Sequence, residues 1–230
     1  MQIEYNTPMK SVTINSNDAG QRVDKFLQKH FATLPKSMMF KQIRKKNIKV
    51  NRKRCTPEQV LCDGDVIDLY LSDDMLAEKK KHFDFLSAPK ELSIIYEDEN
   101  IILMDKKQGE LCHPDGKEYV NTLVASMKRY LYDKGEYKPE EENSFTPSLA
   151  NRIDRNTGGI VIGAKNYQSL KILNQKIKDR GIDKLYLTVT EGVFDKKSDV
   201  LVGWLTKDTK KNMVKITTKE VPDGKLCRTK

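Results

Sequence analysis

The run Asn151-Arg152-Ile153-Asp154-Arg155-Asn156-Thr157-Gly158-Gly159 sets one carboxylate between two arginines, ahead of the apolar run Ile160-Val161-Ile162-Gly163-Ala164. A solvent-exposed aspartate is ionised at neutral pH, so Asp154 can act as nucleophile or general base without an activating partner. In an extended backbone the side chains of Arg152 and Asp154 share a face. Arg152 or Arg155 could hold that carboxylate charged or meet a phosphate. Gly158 and Gly159 permit a sharp turn and a close approach to the backbone. The residues alone leave a second reading open, a structural ion pair at a tight turn.

A second signal is the location of the charge. The 230-residue chain carries a formal net charge of +9, with 42 basic and 33 acidic residues. Between Lys36 and Arg54 stand Lys36, Lys41, Arg44, Lys45, Lys46, Lys49, Arg52, Lys53 and Arg54, with no Asp or Glu. Removing those nine leaves 33 basic against 33 acidic residues, so the whole excess lies in one window. Charge concentrated in this way suits a polyanion, and nucleic acid is the expected partner.

No apolar run is long enough to span a bilayer, and Met1–Asn6 lacks the basic start and apolar core of a secretory signal. A cytoplasmic location without membrane contact is the expectation, as is a monomer. Cys55, Cys62, Cys112 and Cys227 form no Cys-x-x-Cys pair, so free thiols are expected and no metal site is assigned.

Val23, Phe26, Leu27 and Phe31 at helical spacing predict a helix over about 22–31. Ser37 then reads as the N-cap of a second helix through Lys46, with Phe40 and Ile43 inward. Ile48–Asn51 and Asp65–Leu71 read as short strands. Residues 73–90, charged and ending near a proline, read as a linker between a domain over 1–72 and another over 91–230. In the second domain, 92–96 and 101–104 form a hairpin signal, and Val120 to Leu131 a helix. Residues 132–146 read as an irregular, mobile insertion. Asn166 caps a helix ending near Gly181, and Lys184–Thr190 alternates as a strand. The whole indicates an α+β fold around a mainly antiparallel sheet.

The Arg-Ile-Asp-Arg run followed by Thr-Gly and an apolar strand resembles the catalytic motif of the RluA-type pseudouridine synthases. That resemblance implies Asp154 as catalytic nucleophile, with Arg152 and Arg155 at the substrate. Lys184-Leu185-Tyr186-Leu187, continued by Glu191-Gly192, resembles the family's Lys/Arg-x-Tyr segment and implies that Tyr186 packs against the target base. Ile101–Gly109 with His113-Pro114 resembles its apolar strand, Lys-Pro-x-Gly and His-Pro, although Lys107 replaces the proline. The first region is similar to the alpha-L RNA-binding domain of ribosomal protein S-four. The match rests on Arg22–Leu27, Ile43–Asn51 and Gly64-Asp65-Val66. It implies that Lys41, Arg44, Lys45, Lys46, Lys49, Arg52, Lys53 and Arg54 grip RNA phosphates.

Together these resemblances imply an enzyme isomerising uridines in structured RNA to pseudouridine without a metal or organic cofactor, with ribosomal RNA favoured over transfer RNA. Two departures remain. Asn151 stands where many members carry His. The chain also stops at Leu226-Cys227-Arg228-Thr229-Lys230, before the family's Gly-Arg-Thr-His-Gln-Ile-Arg segment, so C-terminal strands are expected to be missing. The alternative expectation is a catalytically inactive RNA-binding or ribosome-associated protein. A hydrolase using Asp154 lacks a second well-placed carboxylate.

Overall fold

A computed structural model describes residues 10–78, 83–193, 195–208 and 213–230. The Met1–Asn6 start and positions 79–82 of the expected linker lie outside them. The chain divides into two compact units, Met1–Asp183 and Lys184–Lys230, and the sequence-based boundaries near 72 and 90 fall inside the first.

The first unit opens with strand β1 (Lys10–Thr13), helices α1 (Val23–His30) and α2 (Lys36–Arg44), and strands β2 (Ile48–Val50), β3 (Lys53–Arg54) and β4 (Val66–Leu69). The strands form an antiparallel sheet in the order β1-β4-β2-β3. Val23, Phe26 and Leu27 of α1 and Met39 and Ile43 of α2 are buried against Ile48, Ile67 and Leu69 of the sheet. One expectation is corrected here. Helix α2 starts after Pro35 and carries no side-chain cap from Ser37. Pro35 enters at φ −62°, and its carbonyl accepts from the Met39 N–H at 2.9 Å, so the first turn closes without one. Phe40 packs half-buried against this core as expected, beside the buried Met39, Gln42 and Ile43.

The β2–β3 turn has Asn51 at φ 50° and Arg52 at φ 63°, the left-handed pair of a tight hairpin. Asn tolerates this conformation, and the Asn51 side chain is held across the sheet, accepting from the Val66 N–H at 2.8 Å and donating to Asp65 Oδ1 at 2.7 Å. The turn thus presents Arg52 at a hairpin tip.

Strands β5 (Ile94–Glu97) and β6 (Ile101–Lys106), helix α3 (Leu123–Asp133), strands β7 (Ser148–Leu149) and β8 (Gly159–Ala164) and helix α4 (Tyr167–Lys178) complete the unit. The sheet order is β5-β6-β8-β7, antiparallel throughout. Met127 and Leu131 of α3 pack on Ile102, Met104 and Val161. Gly163 gives α3 its room, since a Cβ there would lie 2.3 Å from Met127 Sδ. Asn166 caps α4 as expected, its Oδ1 accepting from the Ser169 N–H at 2.9 Å. The expected linker belongs partly to each core: Leu76 is buried in the first, Phe85 and Ala88 in the second.

Residues 132–146 differ from the expected mobile insertion. Tyr137 and Phe145 are buried, and Tyr137 Oη bonds Thr146 Oγ1 at 3.1 Å. Glu97 holds the neighbourhood together electrostatically. It pairs with Lys134 and Lys165 at 2.9 Å each and accepts from Tyr130 Oη at 2.7 Å, while Glu136 pairs with both lysines. Burial opposes its ionisation, but the hydrogen bonds from Lys165, Lys134 and Tyr130 prevail and bring its pKa down to about 2.

Strand β6 ends in a lysine with 1% of its surface exposed. The Lys106 ammonium donates to the carbonyls of Lys107 (3.0 Å), Glu110 (2.8 Å) and Arg155 (3.1 Å), so each of its three protons has an acceptor.

In the second unit β9 (Leu201–Asp208), β10 (Met213–Thr217) and β11 (Lys225–Thr229) form an antiparallel sheet ordered β10-β9-β11. The expected strand over 184–190 is not formed; these residues adopt neither helix nor strand and are exposed. Alternation provides a face for a ladder but not the partner, and here β9 takes both β10 and β11.

Two tests follow from these charges. A depressed carboxyl pKa contributes stability above its ordinary value of 4.5, and the contribution disappears as pH falls toward about 2. Glu97→Gln should therefore lower the urea midpoint at pH 7, with its gap from the wild type closing between pH 4.5 and 2. Lys106→Met removes the donor shared by three carbonyls; those of Lys107 and Arg155 keep a backbone N–H partner, while that of Glu110 loses its side-chain donor. The change should therefore cost about 1–3 kcal/mol, measured by urea unfolding at pH 7.

Candidate active site

Asp154 lies on the loop between β7 and β8, and each step of that loop is tied down. After the last β7–β8 pair, the Ala150 N–H donates to the Ile162 carbonyl at 2.8 Å. The Asn151 side chain then takes the next rung. Its Oδ1 accepts from the Ile162 N–H at 2.8 Å and its Nδ2 donates to the Ile160 carbonyl at 3.4 Å. Asn151 so keeps a hydrogen-bonding role at the position where the sequence departs from His.

Ile153 turns inward against the core, and its carbonyl accepts from Cys112 Sγ at 3.4 Å. Its neighbours Arg152 and Asp154 are exposed, the alternation of an extended segment. Arg155 then closes onto the turn after β6. Its carbonyl accepts from the Gly109 N–H at 2.8 Å and from Lys106 Nζ, and its Nε donates to the Gly109 carbonyl at 2.9 Å. The Thr157 N–H donates to the Asp154 carbonyl at 3.0 Å, and Gly159 enters β8 at φ 131°, a conformation that favours glycine. An exposed carboxylate is thereby carried between two pinned residues, 153 and 155.

Lys107 does not spoil the turn in which it replaces proline. Its N–H, which proline would lack, donates to Glu110 Oε2 at 3.3 Å, and Gly109 takes φ 90°. Lys106 is not at the protein surface. It is the buried brace of two loops.

Around Arg152 the charge is positive. Burial first, then the charges of Arg152 and Lys128, push His113 below the usual imidazole range, which leaves it neutral at pH 7. Burial lowers Lys128 as well. Sequence periodicity gave no sign of Lys128, which follows the core residue Met127 on α3. Arg155 faces a cavity of about 790 Å³ shared with Asp105, Lys107, Glu110, Glu118 and Asn121, which Asp154 does not line.

Arg152, Asp154 and Arg155 thus share one loop, whereas Tyr186 belongs to the second unit, where it is 65% exposed. Lys41, Arg44, Lys45, Lys46, Arg52, Lys53 and Arg54 are exposed on α2, its C-terminus and the β2–β3 hairpin. Lys49 is half-buried, its Nζ 4.6 Å from the centroid of the Tyr70 ring. None of these eight forms an ion pair among the described residues. Cys55 and Cys112 sit in separate cores, and no group of three or more metal-ligating side chains occurs among the described residues.

Residues 100–230 match the family model described as RNA pseudouridylate synthase. An uncharacterized RNA pseudouridine synthase of Mycoplasma capricolum is 34% identical over 224 residues, covering 96% of this chain and 72% of that protein. The ribosomal large subunit pseudouridine synthase C of Escherichia coli is 30% identical over 189 residues, 80% of this chain. The chain spans 55% of that relative's length. Among solved structures, human RNA pseudouridylate synthase domain containing 1 aligns with a TM-score of 0.44 at 15% identity, covering 65% of this chain and 53% of its own. With more than half of the sequence matched to one family model, the chain belongs to the RNA pseudouridylate synthase family.

Proposed function

We propose that this chain isomerises uridine to pseudouridine within large-subunit ribosomal RNA, with Asp154 as the nucleophile. The observation that carries the reading is the presentation of Asp154: exposed, beside Arg152, on a loop clamped through Arg155 to the Lys106 turn. The choice of RNA rests on the relative from Escherichia coli, whose name specifies the large ribosomal subunit.

In this reaction the bond from N1 of the base to C1′ of the ribose breaks, and one from C5 to C1′ forms. The proton lost from C5 is balanced by one gained at N1, so no oxidant, reductant or second substrate is needed. Asp154 attacks the nucleotide or removes a proton from it, and the freed base rotates before rejoining the sugar. Its reacting atoms are inaccessible inside a duplex, so the nucleotide leaves the stack and Tyr186 supplies a surface for the base. Arg152 and Arg155 supply positive charge at the same loop.

The first region is proposed as an alpha-L RNA-binding domain, on the support of two helices, a small sheet and a basic face whose cations form no ion pair among the described residues. Those cations contact phosphates and set the position of the RNA without reading its sequence.

Asp154→Asn should abolish pseudouridine formation, read as carbodiimide-dependent reverse-transcription stops on ribosomal RNA, while RNA binding is retained; turnover by that variant refutes the assignment. Replacing Lys41, Arg44 and Lys45 together with Ala should weaken RNA binding at low salt. The slope of log affinity against log salt should fall by about 2–3, and an unchanged slope removes the proposed footprint.

A further inference from the structure

The segment from Glu141 to Ser144 does not end in solvent but plugs into the N-terminal region. At its centre is Asp18, a carboxylate with no exposed surface. Asp18 Oδ1 accepts from Ser144 Oγ at 2.6 Å and Oδ2 from Asn143 Nδ2 at 2.7 Å. The other Asn143 amide proton goes to the Thr13 carbonyl at 2.9 Å, and its backbone carbonyl accepts from His30 Nδ1 at 2.9 Å. Gln21 Nε2 donates to Ser144 Oγ at 2.8 Å, and Lys29 Nζ in turn donates to Gln21 Oε1 at 2.7 Å. Asn17 Nδ2 donates to Glu142 Oε1 at 2.6 Å.

A second anchor lies at the start of α4. There the Tyr167 N–H donates to Asn17 Oδ1 at 3.3 Å, and Lys29 Nζ stands 5.2 Å from the centroid of the Tyr167 ring. These contacts join the region bearing the basic window to the half bearing Asp154, across separations of 113 to 150 residues.

The chemistry is that of a specific dock. Burying a carboxylate is costly unless it is hydrogen-bonded, and Asp18 finds its acceptor sites filled from the other side of the junction. Undocking exposes that network to water and frees the two halves to reorient. Two RNA-contacting surfaces on one rigid body bind a bridging RNA more tightly than the same surfaces on a loose tether, because the second contact carries less entropic cost.

We infer that Asp18, Asn143 and Ser144 are positioning residues, which hold the basic N-terminal face and the Asp154 loop as a single surface for one RNA spanning both. The inference rests on the proposed RNA-directed function and adds that the spacing between the two contacts is built into the protein, not left to a tether.

Asn143→Ala/Ser144→Ala removes the donors from the loop side and leaves every residue of the N-terminal region in place. Fluorescence anisotropy would compare two probes: a structured transcript of large-subunit ribosomal RNA, and an oligouridine too short to bridge both surfaces. The variant should bind the transcript about tenfold more weakly than the wild type and the oligouridine equally well. On the transcript KM should rise while kcat holds. Asp18→Asn, nearly isosteric, should reproduce the same length-selective loss. Equal loss for both probes, or no loss for either, overturns the inference. Anisotropy needs no turnover, so an inactive wild type would count against the proposed reaction and leave the docking result to be judged by itself.

Discussion

A buried ammonium decides the shape of the candidate site. Lys106 brings a full charge into the core with no carboxylate among its three hydrogen-bond acceptors. Water is excluded there, so the charge is tolerable only because three carbonyl dipoles point at it. Two of those carbonyls, from Lys107 and Glu110, belong to the turn after β6, and the third is that of Arg155. Satisfying one side chain therefore forces two chain segments almost fifty residues apart into register. The reciprocal bonds between Gly109 and Arg155 repeat the constraint through the backbone. Asp154 precedes the clamped residue, so its carboxylate is presented by a braced frame although the residue itself is exposed.

The same logic of satisfied buried polar groups operates at the junction with the N-terminal region. Asp18 plays there the part that Lys106 plays at the site, with the sign reversed. The surroundings of Arg152, with Lys128 and a neutral His113, add positive charge and half-buried surface. Such an environment favours an anionic group over a cationic one.

Much of this was readable from residue order. Helical spacing at Val23, Phe26 and Leu27 placed α1, the paired apolar runs placed the β5–β6 hairpin, and Asn166 placed the start of α4. Each signal is local, resting on side-chain period or on a cap within one turn. The failures share the opposite character. Lys184–Thr190 alternates correctly, yet a strand needs a partner that alternation cannot supply. Ser37 is a good cap by type, but Pro35 had already fixed the entry to α2. The charged residues 132–146 looked unanchored because their partners, Asp18, Gln21 and His30, are more than a hundred positions away.

The sequence by itself supplied the residues on which the proposed chemistry and the proposed partner rest. A carboxylate between arginines at a glycine turn, and nine cations in one acid-free window, are facts of composition and order that folding cannot alter. Tertiary structure alone decided which charges work outward and which hold the frame. Lys106 and Lys107 are adjacent and chemically alike. The first is sealed among carbonyls, one of them that of Arg155, and the second stands exposed one position past the end of β6.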